Sequence, residues 1–275
     1  MRTRPLSIAA LLVAAAGLTA CQAPAGSIDG CMPLLQPGGA TSQVSVEAAE
    51  GSPTVEFETP LVADGDQAQV LGGSGERAAE GDIVDADYVV YSGKTGALIS
   101  SSYEASAEGQ PPATPLRLTA GGEYVLADAV TCGAPGASIV VTTTISSLFG
   151  PNAASPELDI TPADTAVVVL GVSDVRAGRA EGSARPGQQG MPAIALAPDG
   201  RPGVTFPGTH APADLTVMQS IRGTGEEVAE GDRLLLQYTG IVWETEEVFD
   251  SSWETGAPFS HDESKTVSVS QTMPV

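Results

Sequence analysis

The sequence predicts an α+β fold in which an antiparallel β-sheet packs on a short helix, built twice in tandem and the second time incompletely. Three observations lead there. Shifting the chain against itself by 150 residues lays Gln69–Glu104 over Gln219–Glu254 without a gap, with 13 identities in 36 positions. In each copy a Glu-Gly-Asp turn, at 80–82 and 230–232, opens a run of apolar, β-branched or aromatic residues, Ile83–Tyr91 and Leu234–Val242, the signature of a strand leaving a turn. The first copy then offers one short helix candidate, Glu123–Val130, and two strongly β-branched runs, Ile139–Ile145 and Thr165–Val172. Many strands with a single short helix describe a sheet covered by that helix, and a period of 150 is far beyond any solenoid repeat.

The elements follow in chain order. Arg2 and Arg4 form a positive leader and Leu6–Gly17 an apolar run, as expected of a signal peptide over residues 1–20 and too short to span a bilayer. Leu18-Thr19-Ala20-Cys21 resembles a bacterial lipobox, which implies cleavage before Cys21, acylation of its thiol and a lipid anchor on the extracytoplasmic face of the cell membrane. An ordinary secretory signal with a chance cysteine is the alternative. Residues 21–51, rich in Ala, Gly, Ser and Pro, read as a flexible tether. Residues 52–176 form the first unit, 177–213 a linker rich in Gly and Pro, and 214–275 the front half of a second unit. The two cysteines left after processing, Cys31 and Cys132, have no Cys or His at metal-ligand spacing; in an oxidising compartment a disulfide is expected of them.

Composition narrows the function. With 12 Lys+Arg against 34 Asp+Glu, a net charge of −22, the chain has few cations to neutralise phosphate, which disfavours nucleic acid and anionic membrane surfaces as partners. A hydrophobic fraction of 42% is that of a globular protein. Only 4% of the residues are aromatic, yet Tyr238, Trp243, Phe249, Trp253 and Phe259 fall within 22 residues of the second copy. Rings gathered in this way mark a candidate apolar site, although an isolated Phe or Tyr on a strand is more often core.

The residues around those rings carry a pattern: Leu236-Gln237-Tyr238-Thr239-Gly240, then Val248-Phe249-Asp250-Ser251-Ser252-Trp253, then Gly256-Ala257-Pro258-Phe259. It resembles the FKBP family of peptidyl-prolyl cis-trans isomerases, which carries Tyr-x-Gly, Phe-Asp-Ser-Ser and Gly-x-Pro-Phe at this spacing. The resemblance covers residues 214–275 and, through the repeat, 69–175 more distantly. It implies that Tyr238, Phe249 and Phe259 line a prolyl pocket with Asp250 as its acidic member, that Trp253 and Met273 touch substrate, and that proline-containing polypeptides are the substrates. Twisting a prolyl amide requires no metal, cofactor or nucleophile, so none is expected. The family's pocket floor, a Trp at a helix start, would follow Met273-Pro274-Val275, so the second copy is expected to be incomplete and a weak or inactive isomerase by itself.

In the first copy Val90 replaces the family glycine, Ile99 the phenylalanine and Ser100 the aspartate; Phe149 stands where a tyrosine is common and Leu126 near the expected tryptophan. This copy reads as a unit that folds and does not catalyse. Other motifs fall away: His210 and His261 lack partners at metal spacing, Gly72-Gly73-Ser74-Gly75 has no P-loop lysine, and the glutamates at 226, 227, 244, 246 and 247 read as a solvated face. Two functions remain: an anchored folding catalyst for exported polypeptides, or a non-catalytic binding or chaperone-like lipoprotein.

Overall fold

The structure is a computed structural model that describes residues 27–48, 51–103, 113–225, 227–229, 233–255 and 258–262. The signal peptide, Cys21 and Met273 lie outside the described residues. Its elements are β1 (Ser45–Glu47), β2 (Thr54–Glu56), β3 (Gln67–Gly72), β4 (Ile83–Ser92), β5 (Leu98–Ser101), β6 (Leu116–Thr119), α1 (Val125–Ala129), β7 (Ala137–Thr144), α2 (Ile145–Phe149) and β8 (Thr165–Arg176). Beyond these come β9 (Ser183–Ala184), β10 (Ala193–Leu196), β11 (Pro202–Thr205), β12 (Ile221–Arg222), β13 (Arg233–Leu236), β14 (Thr239–Ile241), β15 (Val248–Ser251), α3 (Ser252–Thr255) and β16 (Phe259–Asp262). Among the described residues no helix is long and apolar enough to cross a membrane.

The first unit is an antiparallel sheet in the order β3-β7-β8-β4-β5, with β6 also paired to β4, and α1 lies on one face. This is the expected α+β arrangement. The β-branched run that begins at Ile139 stops one residue short of Ile145, because Thr144 caps a short helix there by accepting a hydrogen bond from the Ser147 N–H. Across the sheet, Asp85 of β4 accepts hydrogen bonds from Arg117 of β6 at 2.7 Å and from Arg176 of β8 at 2.9 Å. The Arg117 guanidinium, and after it Arg176, holds the Asp85 carboxyl below its usual range against the opposing effect of burial.

The central strands are apolar without alternation, and period two explains where each side goes. Ala166, Val168, Leu170 and Val172 of β8, with Ile139 and Val141 of β7, bury toward α1. Val167 and Val169 of β8, Val140 of β7 and Val89 of β4 bury toward the opposite face. Strands that are apolar on both sides need a cover on both, and the second cover comes from the segment read as a tether together with residues 54–61. Ala40, Val44 and Leu61 are buried on that face, with Val46, Val55 and Phe57 packed against them. The Ala68 N–H donates to Gln36 O at 3.1 Å, and a disulfide joins Cys31 to Cys132, 101 residues apart. Over residues 27–48 the chain is therefore part of the first unit. Its Gly and Pro residues shape turns, and its apolar residues are too sparse to show a period.

The linker is likewise folded. Its hairpin β10–β11 places Ile194 opposite Val204, as hairpin β1–β2 places Val46 opposite Val55. Ala48-x-x-Gly51-x-Pro53-x-Val55-x-Phe57 recurs as Ala197-x-x-Gly200-x-Pro202-x-Val204-x-Phe206. Both phenylalanines make edge-on ring contacts: Phe57 with Tyr91 at 6.4 Å and Phe206 with Trp243 at 5.0 Å. Trp243, to which the sequence assigns no role, also donates its indole N–H to Thr209 O at 2.9 Å. Arg201 in the hairpin's turn pairs with Glu254 at 3.0 Å. Residues 193–205 of the segment read as a linker thus form a hairpin that carries the same Ala-x-x-Gly-x-Pro-x-Val-x-Phe pattern as hairpin β1–β2.

Burial of both sheet faces is open to a paired test. Val167→Thr and Val168→Thr keep side-chain shape but bury a hydroxyl on opposite faces, so each should lower unfolding free energy by about 1–2 kcal/mol. A loss below about 0.5 kcal/mol for Val167→Thr, the usual effect of a surface substitution, would show that the N-terminal segment leaves that face wet.

Candidate functional site

The site is built on hairpin β14–β15 and has a twin in hairpin β4–β5. Val89 faces Ser101 and Val90 faces Ser100, then the register slips to Tyr91 opposite Leu98. Thr239 faces Ser251 and Gly240 faces Asp250, then the register slips to Ile241 opposite Val248. Ile99 and Phe249 are each skipped, the extra residue of a β-bulge that turns a side chain out of the regular alternation. The turns agree bond for bond: Gly96 N–H to Ser92 O at 2.7 Å matches Glu246 N–H to Val242 O at 2.8 Å, and Ser92 N–H to Ala97 O at 2.8 Å matches Val242 N–H to Glu247 O at 2.9 Å. Both turn residues have positive φ, 75° at Gly96 and 58° at Glu246. The neighbouring pairings agree as well, Ala86 with Leu116 and Leu236 with Phe259.

Within the second hairpin a serine holds the tyrosine in place. Ser252, buried, accepts the Tyr238 N–H at 2.9 Å, donates its own N–H to Tyr238 O at 3.1 Å and donates its hydroxyl to Gln237 Oε1 at 2.6 Å. The same clamp joins Ser102 to Tyr88, with Asp87 Oδ1 in place of the glutamine at 2.8 Å. So held, Tyr238 donates its hydroxyl to Asp250 Oδ2 at 2.6 Å. In the first unit the Tyr88 and Ser100 hydroxyls meet at 3.2 Å, a neutral contact where the second unit has a charged one. That hydrogen bond to Asp250, with smaller contributions from desolvation and from the carboxylate's charge, raises the Tyr238 phenol above its ordinary value.

Phe249 lies across the same strands, its ring over Gly240. The structure therefore brings Tyr238, Phe249 and Asp250 together. The face they form is open among the described residues: Tyr238 is 38% exposed and Phe249 56%. Phe259 contributes its backbone to β16, paired with Leu236 of β13. Trp253 is placed elsewhere. It lines a cavity of about 360 Å³ with Leu196, Gly200 and Pro202 of the linker hairpin and Leu235 and Leu236 of β13. Its counterpart Tyr103 lies against Gly171 of β8, on the face away from α1, and burial there pushes the Tyr103 phenol up, with Asp87 adding to the effect. Trp253 thus lies beside the linker hairpin, against Gly200. Among the described residues no cluster of His, Cys, Asp or Glu is fit to hold a metal.

No family model matches the chain. Over 58 residues it is 38% identical to the FK506-binding protein of Streptomyces anulatus, covering 21% of this chain and 47% of that protein. Over 56 residues it is 39% identical to a probable FK506-binding protein of Corynebacterium glutamicum, covering 20% and 48%. The chain spans about half the length of these curated relatives, and over that stretch it is FKBP-like. Solved structures that it resembles include FkpA from Escherichia coli, at 24% identity, 41% and 48% coverage and a TM-score of 0.29. The N-terminal domain of FKBP42 from Arabidopsis thaliana matches at 16% identity, 45% and 96% coverage and a TM-score of 0.33. TM-scores this low leave the fold to be read from the chain itself.

The Tyr238–Asp250 contact has a titration signature. A phenol whose pKa is raised on folding favours the folded state below its unfolded pKa of about 10, and that contribution is lost as pH rises through the folded value. NMR titration of the tyrosine rings should find Tyr238 ionising above the ordinary value, and Asp250→Asn should bring it back. An unchanged Tyr238 titration in Asp250→Asn would remove the carboxylate as the cause.

Proposed function

We propose that the protein is an FKBP-type peptidyl-prolyl cis-trans isomerase, anchored by lipid outside the membrane, that acts on exported polypeptides through its second unit. The supporting observation is the cluster in which Asp250 accepts the Tyr238 hydroxyl while the ring of Phe249 lies over the neighbouring Gly240, on a stretch similar to FK506-binding proteins. Rotation about a prolyl amide meets a barrier of about 18–20 kcal/mol, because the twisted amide loses its resonance. The twisted form is less polar than the planar one, so a surface of rings stabilises it preferentially, and preference for the transition state is what accelerates a reaction. Phe249 supplies such a surface. Tyr238, oriented by Asp250, supplies a hydroxyl fixed in direction that can meet the substrate's carbonyl. No group needs to form a covalent bond.

The proposed organisation is two copies of one unit, each opened by a hairpin and a phenylalanine, the first having given up its ring and its acid. Val90, Ile99 and Ser100 at the positions of Gly240, Phe249 and Asp250 favour a second reading for that first copy, a folded platform that binds without turnover. Export and anchoring rest on the leader and on Cys21.

Isomerisation of a chromogenic Ala-Ala-Pro-Phe peptide separates these readings. The full chain should accelerate it only weakly, and Phe249→Ala or Asp250→Ala should each lower kcat/KM by about tenfold or more, equivalent to about 1.4 kcal/mol of transition-state binding. Full activity in both variants would overturn the assignment of the site, and peptide binding without acceleration would favour the non-catalytic reading.

Anchoring is tested separately. In a bacterial host, Cys21→Ser should move the protein from the membrane to the soluble fraction; a variant that stays with the membrane would rule out lipidation at Cys21.

A further inference from the structure

We infer that Gly240 is a positioning residue: by lacking a side chain it seats the Phe249 ring against the strand beside Asp250, and Val90 at the same place excludes such a ring from the first unit. The binding part of this inference rests on the isomerase reading; the seating rests on geometry alone. Gly240 is not among the residues with positive φ, so its backbone does not call for glycine. Space does. A Cβ placed on Gly240 would fall 2.8 Å from Phe249 Cε2 and 2.9 Å from Cε1, and closer still to Cζ. No real Cβ sits that close to a ring, so any side chain at 240 displaces Phe249.

The first unit carries the complementary solution in the same frame. Val90 pairs with Ser100 as Gly240 pairs with Asp250, and the skipped residue is Ile99 where it is Phe249 in the second hairpin. Val90 is buried and Ile99 packs on the helix-side core. The chain thus holds two matched pairs on one backbone: no side chain with a ring, or a branched side chain with a shorter one. Crossing them breaks the match. Because Phe249 is already 56% exposed, a ring pushed off residue 240 can swing into water with the hairpin intact, and the site would lose its wall without losing its fold.

Three variants of the full chain test this: Gly240→Val, Phe249→Ile, and the two combined, which reproduces the pair found in the first unit. The readouts are affinity for Ala-Ala-Pro-Phe peptide and amide hydrogen exchange across residues 237–252. Gly240→Val should bind the peptide about tenfold or more weakly with exchange close to wild type. The combined variant should keep wild-type exchange and remain equally weak, so that affinity follows the ring and not the stability of the hairpin. Should Gly240→Val lose its protection, Gly240→Ala serves in its place, since one methyl already meets the ring. Binding within about twofold of wild type by Gly240→Val, or by its alanine substitute, or by the combined variant would overturn the inference. If the wild-type chain binds no peptide, the isomerase reading fails, and the seating is judged by NMR. The Gly240 Hα signals should be shifted by the ring above them and should return toward ordinary values in Phe249→Ile; signals that do not move would refute the seating.

Discussion

Strands β7 and β8 bury apolar side chains on both faces, and most of the architecture follows from the need to cover them. One cover is α1, which occupies the face holding Ile139, Val141, Val168 and Leu170. That helix is five residues long, too short to be stable by propensity, and it persists because it packs on this sheet. The other cover must come from outside the strand–helix core, and the N-terminal segment provides it. An apolar contribution of about 25 cal/mol per Å² of buried surface favours docking a segment otherwise poor in hydrogen-bonded structure. Fixing Cys31 to Cys132 and holding Gln36 and Gln67 to their backbone partners reduce the freedom that docking must overcome.

The linker hairpin covers less: Ile194 and Leu196 stay exposed, and it meets the second hairpin's surroundings through Phe206 on Trp243 and through Gly200 and Arg201 beside Trp253 and Glu254. A hairpin and a phenylalanine thus accompany each of the two site hairpins, Phe57 on Tyr91 in the first and Phe206 on Trp243 in the second. A site on strands holds its side chains more precisely than one on loops, and the register slip at Phe249 lays its ring over Gly240.

Much of this was legible in the sequence. Continuous apolar and β-branched runs with turn residues between them located β4, β7 and β8, and the one short helix candidate located α1, because buried strands and turns write local patterns. The resemblance of the motifs at 236–240 and 248–253 to FKBP proteins implied that Tyr238, Phe249 and Asp250 lie together, and the hairpin β14–β15 brings these positions onto facing strands. What escaped needed a gap or a direction. The two opening hairpins match only after a slip of one residue from the 150-residue offset, so a gapless comparison passes over Ala48–Phe57 and Ala197–Phe206, and their Gly and Pro content reads as flexible chain. Trp253 follows the site motif in sequence, and its indole lies beside Gly200 of the linker hairpin. Only coordinates distinguish the two sides of a strand end. Continuous apolar runs at Thr165–Val172 already implied a second cover, which neither helix candidate nor linker was asked to supply.

The difference between the two hairpins then reduces to three coupled positions on one backbone. Val90 with Ile99 closes the space that Gly240 leaves for Phe249, and Ser100 puts a hydroxyl where Asp250 puts a charge. None of these exchanges disturbs the register, the turn or the serine clamp, because each concerns a side chain on the inner face while the hydrogen bonds run along the edge. The hairpin frame can therefore carry either set of side chains without changing its fold: Val90 and Ile99 add buried apolar contact, and Ser100 in place of an acid removes a charge from the core's border. Stability favours the first set, because the second hairpin leaves a ring 56% exposed and keeps a carboxylate beside it.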